Sequence, residues 1–415
     1  MGRRVFSGIM LVLLVLLPIL SSSSPVSASI AKWTFMVYLD ADNNLDPAGV
    51  DDISEMQAVG STSDVNIVVL FDRWYKMCGF NGSAILYIHE GWNETVWGGW
   101  SEEFELNMGD PETLKWFVQF AMTEYPAERY ALVLWDHGHG WPGVCDDWTD
   151  KDHLEIDEVK MALAGLPRMN LLGFDACLMS MVEVAYSMQG TANVMVSSEE
   201  WEPWDGWPYD VILANLVKHP EWNERELGTE IVDDYIESYK QGEFAYRPWG
   251  GVYSVLVTMA AINLTSLPML VSGIDLLAKE LIANFDEYQS AITTAKDSAD
   301  RYWFGLYYQG PYVDLYHFIS ILGRVEKKLT EMTKPILNTW SDVVIATKTY
   351  SRVHQNALGL TIYFPRHEWL FYNPKEYSKI SFSTDTAWDD LLATYFLYTA
   401  PPQRPRGLSA STFLT

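Results

Sequence analysis

Short apolar runs alternate with amphipathic stretches along the first half of the chain. Lys32 to Leu39 and Val65 to Phe71 are almost continuously hydrophobic, the pattern of strands buried on both faces, and Asp46 to Val59 between them repeats its apolar positions at helical spacing. Ala84 to His89 predicts another strand, followed by a loop rich in Trp and Gly. Pro111 to Tyr125 predicts a helix, with proline and glutamate in its first turn. Arg129 to Trp135 (strand), Ile156 to Leu166 (helix), Met169 to Phe174 (strand), Leu178 to Met188 (helix) and Asn193 to Ser197 (strand) continue the alternation. Strands and helices in regular succession predict an α/β fold, a three-layer sandwich whose mostly parallel sheet is covered on both faces.

From Gly251 the texture becomes more helical. A strand over Val252 to Met259 precedes helical patterns over Leu267 to Ile292 and Val313 to Ile345, and Leu358 to Phe364 predicts a late strand. The N-terminus differs from both halves. Arg3 and Arg4 precede the apolar run Val5 to Leu20, then serines, Pro25 and the small-residue sequence Val26, Ser27, Ala28. That is the layout of a secretory signal cleaved after Ala28, and an uncleaved N-terminal anchor is the alternative. The expected organisation is a signal peptide (1–28), a main domain (29–250), a C-terminal α/β subdomain (251–400) and a flexible tail (401–415). The expected location is secreted or extracellular, or tethered through an uncleaved N-terminal segment, with no stable membrane span after signal removal.

Composition narrows the function. With 48% hydrophobic and 20% charged residues the chain is globular, and 55 acids against 28 bases give a net charge of −27. Such a field repels nucleic acid and anionic membrane and attracts cationic ligands. Three cysteines, Cys78, Cys145 and Cys177, are odd in number, so in an oxidising compartment at least one cannot pair internally. A pairing of Cys78 with Cys145 and a state in which both are buried thiols are both open.

Two strand ends carry the chemistry. WDHGHGW (Trp135 to Trp141) directly follows one predicted strand and FDACLMS (Phe174 to Ser180) ends another. In open α/β sheets ligands sit beyond the carboxyl ends of strands, so adjacency of these two strands would bring His137 to Cys177. A thiol needs a base or cationic neighbour to act as a nucleophile, and a histidine supplies either. A helix beginning just after the thiol would further favour its anion. The amides of Gly138 and Cys177 are then oxyanion donors.

These residues resemble the clostripain family of cysteine peptidases, in the clan of caspases, legumains and gingipains. The resemblance rests on WTFMVYLDADNNLD (Trp33 to Asp46), ALVLWDHGHGW (Ala131 to Trp141), NLLGFDACLMSMVEVAY (Asn170 to Tyr186) and SSEEWEPWDGWPY (Ser197 to Tyr209), in the family's order. It implies a caspase-like sandwich and a peptidase dyad of nucleophile Cys177 and His137. It further implies Asp175 and Asp205 as acids of a pocket for Arg or Lys before the scissile bond, with basic peptides or proteins as substrates. His139 is a second imidazole near the dyad. Some relatives cleave themselves between the histidine and the cysteine, and Lys151 is the suitable basic residue. Some need calcium, for which carboxylates of Asp40 to Asp46 or of Asp146 to Glu155 are the expected ligands, although Asp40, Asp42 and Asn44 lack the glycine and glutamate of an EF-hand. The chemistry requires no organic cofactor. Adjacent Glu199 and Glu200 point to opposite faces, which suits a structural or rim role. The alternative reading is a catalytically inactive homologue that binds peptides or glycans through the tryptophans of Trp92 to Trp100 and Trp201 to Trp207.

Overall fold

In a computed structural model, the described residues are 30–241, 256–302, 310–351, 356–367 and 373–399. The expected signal peptide and tail lie outside them. The strands are β1 (Ala31–Ala41), β2 (Val65–Arg73), β3 (Gly82–His89), β4 (Trp92–Gly98), β5 (Ala127–Trp135), β6 (Val144–Asp147), β7 (Asp152–Leu154), β8 (Met169–Asp175), β9 (Ala192–Ser197), β10 (Leu256–Asn263), β11 (Arg301–Tyr302), β12 (Tyr312–Asp314), β13 (Val344–Ser351) and β14 (Thr361–Tyr363). Nine of them form one sheet in the order β13-β10-β9-β8-β5-β1-β2-β3-β4. The five strands from β9 to β2 are parallel, and both edges are finished by antiparallel neighbours.

β1 shows why the sandwich has two cores. Trp33, Phe35, Val37 and Leu39 belong to the core that also takes the helices Asp46–Val59, Tyr209–Lys218 and Glu224–Gln241, whereas Met36 and Tyr38 belong to the core that takes Pro111–Glu124, Ile156–Leu163 and Leu267–Ala283. Each such side chain is fully buried, with up to about 1.5–3 kcal/mol of transfer free energy apiece. A one-residue slip would exchange the two sets, so the register is strongly specified.

Several predicted elements change. β4 was expected to be loop; it is an edge strand with largely exposed side chains, so it lacks the burial pattern by which a strand is read. The polar Asp146–Glu155 stretch forms the hairpin of β6 and β7. Leu267–Ile292 is two helices, Leu267–Ala283 and Phe285–Ser298, broken at Asn284. Val313–Ile345 begins in β12, contains the helices Leu315–Val325, Thr330–Asn338 and Trp340–Val343, and ends in β13. Part of the predicted strand Val252–Met259 lies outside the described residues; β10 begins at Leu256. Through β10 and β13 the C-terminal region supplies two strands of the central sheet. No helix among the described residues is long and apolar enough to cross a membrane.

Candidate active site

β5 and β8 are parallel neighbours in which Trp135 stands opposite Asp175. His137 and Cys177 each follow two residues later, so both occupy the same carboxyl edge. The Asp136 amide donates to the Asp175 carbonyl (3.2 Å) and carries the pairing beyond the strands. A Cβ at Gly138 would stand 2.3 Å from the Cys177 carbonyl oxygen and 3.0 Å from its nitrogen. Only glycine permits that approach. The bridge between Gly138 and Val144 uses the amides of His139 and Cys145, and among the described residues neither Gly138 N nor Cys177 N has an acceptor.

His137 Nε2 lies 2.9 Å from Asn44 Oδ1. An oxygen there makes Nε2 the protonated nitrogen and leaves the lone pair on Nδ1. Trp148 stacks over the ring at 6.4 Å between centroids. The second imidazole is differently engaged: His139 Nε2 meets Asp146 at 2.9 and 3.0 Å, and its carbonyl accepts from Tyr312 Oη. Asn44 and Trp148 were not anticipated as partners of His137. Asn44 lies in the quoted block after β1, and its place on the same sheet edge is the signal that could have found it.

Burial pushes the Cys177 thiol up to about 12, with Glu202, Glu200 and Asp175 adding to the rise. Burial also pushes His137 down. The resting pair is therefore a neutral thiol and a neutral imidazole. Sequence had suggested a helix starting directly after the thiol, but Leu178 has φ 69° and the helix is only Val182–Ser187. The positive backbone turn is needed because the Leu178 and Ser180 amides reach back to the carbonyls of Glu200 and Ser198. The helix therefore does not begin directly after the thiol. Its nearest donor is the Glu202 amide, 3.3 Å away.

The acids split between floor and rim. Asp175 is buried; its Oδ2 accepts from Tyr209 Oη (2.9 Å) and Trp207 N (3.3 Å). Burial raises it to about 6, and Glu202, pressed against Asp175, is also raised by burial. Asp205 is half-buried in the loop before Gly206. Glu199 is buried and accepts from Gly359 N, while Glu200 accepts from the Trp201 amide, so Glu199 is structural. Lys151 is exposed at the tip of the β6–β7 hairpin with φ 59°. All three cysteines are free thiols: Cys145 is in the core, and Cys78 donates to carbonyls of its own turn.

The molecule is a caspase-like sandwich that presents a thiol and an imidazole from neighbouring strand ends. The family model described as the clostripain family matches residues 37–395, and the chain belongs to that family. Clostripain of Hathewaya histolytica is 32% identical over 223 residues, which is 45% of this chain and 42% of that protein. The match thus spans less than half of the curated relative's length. The fold is similar to an inactive zymogen protease from Parabacteroides distasonis (TM-score 0.64, 19% identity, 86% of this chain and 99% of that one). It is similar also to a secreted cysteine protease of Bacteroides thetaiotaomicron solved with an irreversible peptide inhibitor (TM-score 0.63, 21% identity, with 86% and 99% covered).

Proposed function

We propose that the chain is a secreted cysteine endopeptidase that cleaves after Arg or Lys. The observation that carries this reading is the backbone contact of Gly138 with Cys177, which joins the histidine and cysteine loops at one sheet edge. Because thiol and imidazole rest neutral, the proton leaves sulfur as the sulfur attacks. His137 Nδ1 takes it, the S–C bond forms, and the carbonyl oxygen develops charge toward the amides of Gly138 and Cys177. The imidazolium then protonates the leaving amine as the C–N bond breaks, giving an acyl-enzyme. His137 next removes a proton from water, whose oxygen attacks the thioester, and the acid product leaves as the thiol is restored.

A basic side chain is seated against Asp175 and Asp205. A guanidinium or ammonium entering there gains charge-assisted hydrogen bonds that offset its desolvation. Peptide or protein substrates with basic residues also suit the net charge of −27. Lys151, exposed on its hairpin, is the site of self-cleavage in this reading.

A fluorogenic peptide panel varying the residue before the scissile bond, run beside Cys177→Ala, tests the reading. Turnover after Arg or Lys that disappears in the variant is the expected result. Turnover after other residues would retain Cys177 and His137 but discard the acidic pocket. No turnover under any condition would favour an inactive, peptide- or glycan-binding homologue.

A further inference from the structure

The parallel strands set the residues of the site in a row. β9, β8, β5, β1 and β2 are successive neighbours, with their carboxyl ends at one edge of the sheet. Just beyond those ends come, in the same order, residues 198–200, Cys177, His137, Asn44 and Trp74. The acidic floor lies at the β8–β9 end: Asp175 closes β8, and its partners Trp207 and Tyr209 follow β9. When the basic side chain seats there as proposed, the acyl half of the substrate occupies that end. His137 protonates the leaving amine, so the chain after the scissile bond passes over β5 toward β1 and β2.

What stands on that side is aromatic. Trp148 stacks over the His137 ring at 6.4 Å between centroids and meets Trp74 edge-on at 4.9 Å. Trp148 is nevertheless 42% exposed. A large apolar surface thus stays in water directly beside the base, and exposed surface of that kind marks a place that a partner covers. The two indoles line an open hollow of about 390 Å³ whose acids are already engaged. Asp146 meets His139, Asp147 accepts from the Met108 and Asp150 amides, and Asp152 accepts from Asn107 Nδ2. The ring faces are therefore what the hollow offers an incoming side chain. Trp148 is also held independently of the hairpin tip. Its amide and that of Thr149 donate to the Asp42 carbonyl and Oδ2, each at 2.9 Å, so a cut after Lys151 leaves it tied to the loop that carries Asn44.

We infer that Trp148, backed by Trp74, is the wall of a subsite for an aromatic side chain on the residue immediately after the scissile bond. This subsite rests on the peptidase reading and serves the half of the substrate that the acidic pocket does not touch. An arriving Phe, Tyr or Trp packs offset or edge-on against the exposed indole and takes both surfaces out of water. Gly gains neither contact, and Asp also meets the field of the neighbouring carboxylates. The residue after the bond departs with the amine, so its contacts act on formation of the acyl-enzyme and not on its hydrolysis. The selectivity accordingly appears in kcat/KM, while deacylation is common to all peptides that share an acyl half.

Internally quenched peptides that differ only in the residue after the bond test the subsite, with the residue before it fixed as the one cleaved fastest in the fluorogenic panel. Full-length protein is used, and Cys177→Ala is the blank. The Phe and Trp peptides are expected to exceed the Gly peptide in kcat/KM by about 10-fold or more. Trp148→Ala should bring that ratio to within about threefold of unity, whatever happens to the absolute rates, and Trp148→Phe should keep most of it. The ratio separates a subsite from a mere cover on His137, because loss of a cover slows every peptide alike. Cleavage without an aromatic preference, or a preference that persists in Trp148→Ala, would overturn the subsite and leave the peptidase reading standing. Cleavage of no peptide would overturn both.

Discussion

In the proposed mechanism the Asn44 side chain decides which ring nitrogen of His137 is left to take the proton, although it need not touch a substrate. With Nε2 held at 2.9 Å by Asn44 Oδ1, the imidazole is fixed in orientation and its basic nitrogen is Nδ1. Removing the amide lets the ring rotate, and a misplacement on the scale of 1 Å costs about 10²-fold. Asn44→Ala should therefore lower kcat by about 10- to 100-fold with little change in KM. Asn44→Asp keeps the acceptor and places a negative charge beside the imidazolium. It should recover much of the lost kcat and move the acid limb of the kcat/KM profile to higher pH. Equal losses in both variants with no change in the profile would reduce Asn44 to a packing role. A neutral resting pair fits this dependence, because in the proposed mechanism the proton moves only when ring and thiol are correctly aligned.

The element that carries the proposed self-cleavage site is the β6–β7 hairpin. Its turn puts Lys151 at the exposed tip, in a left-handed conformation that an unconstrained lysine rarely adopts. Lys151→Gln should leave a single intact chain on denaturing gels where the parent shows two fragments; equal cleavage in both would move the cut elsewhere. This hairpin was legible in sequence only as a polar stretch, since its short strands have no apolar alternation. By contrast, β1, β2, β5 and β8 were plain, because buried parallel strands write continuous hydrophobic runs. That His137 and Cys177 share one sheet edge was foreseeable for the same reason, each lying just after such a run. The helix after Cys177 was misread because the largely apolar stretch Leu178 to Met188 gives no sign of where the helix begins. The Leu178 and Ser180 amides serve as ties to the Ser198–Glu200 segment, which period alone cannot reveal.

At the scale of the whole molecule, the C-terminal region is locked to the active-site side of the sheet by buried carboxyls. Glu183, on the helix after Cys177, accepts from Tyr363 N and Tyr377 Oη, each at 2.8 Å, and thereby ties β14 and the helix Pro374–Tyr377 to the core. Burial raises its pKa from 4.5 to about 7. The folded protein holds this proton more tightly than the unfolded chain. The stabilising contribution is thus fully present below about pH 4.5 and is lost as pH rises through about 7. A difference of that size corresponds to on the order of 3 kcal/mol. Glu183→Gln keeps the acceptor oxygen but cannot ionise. Equilibrium urea unfolding between pH 5 and 8 should therefore give a flatter stability curve for the variant than for the parent, whatever their absolute difference at pH 5. Parallel curves would mean that Glu183 is already ionised in the fold. Its contacts with Tyr363 and Tyr377 would then be those of a carboxylate, and the docking of the C-terminal region would not weaken toward alkaline pH through this group.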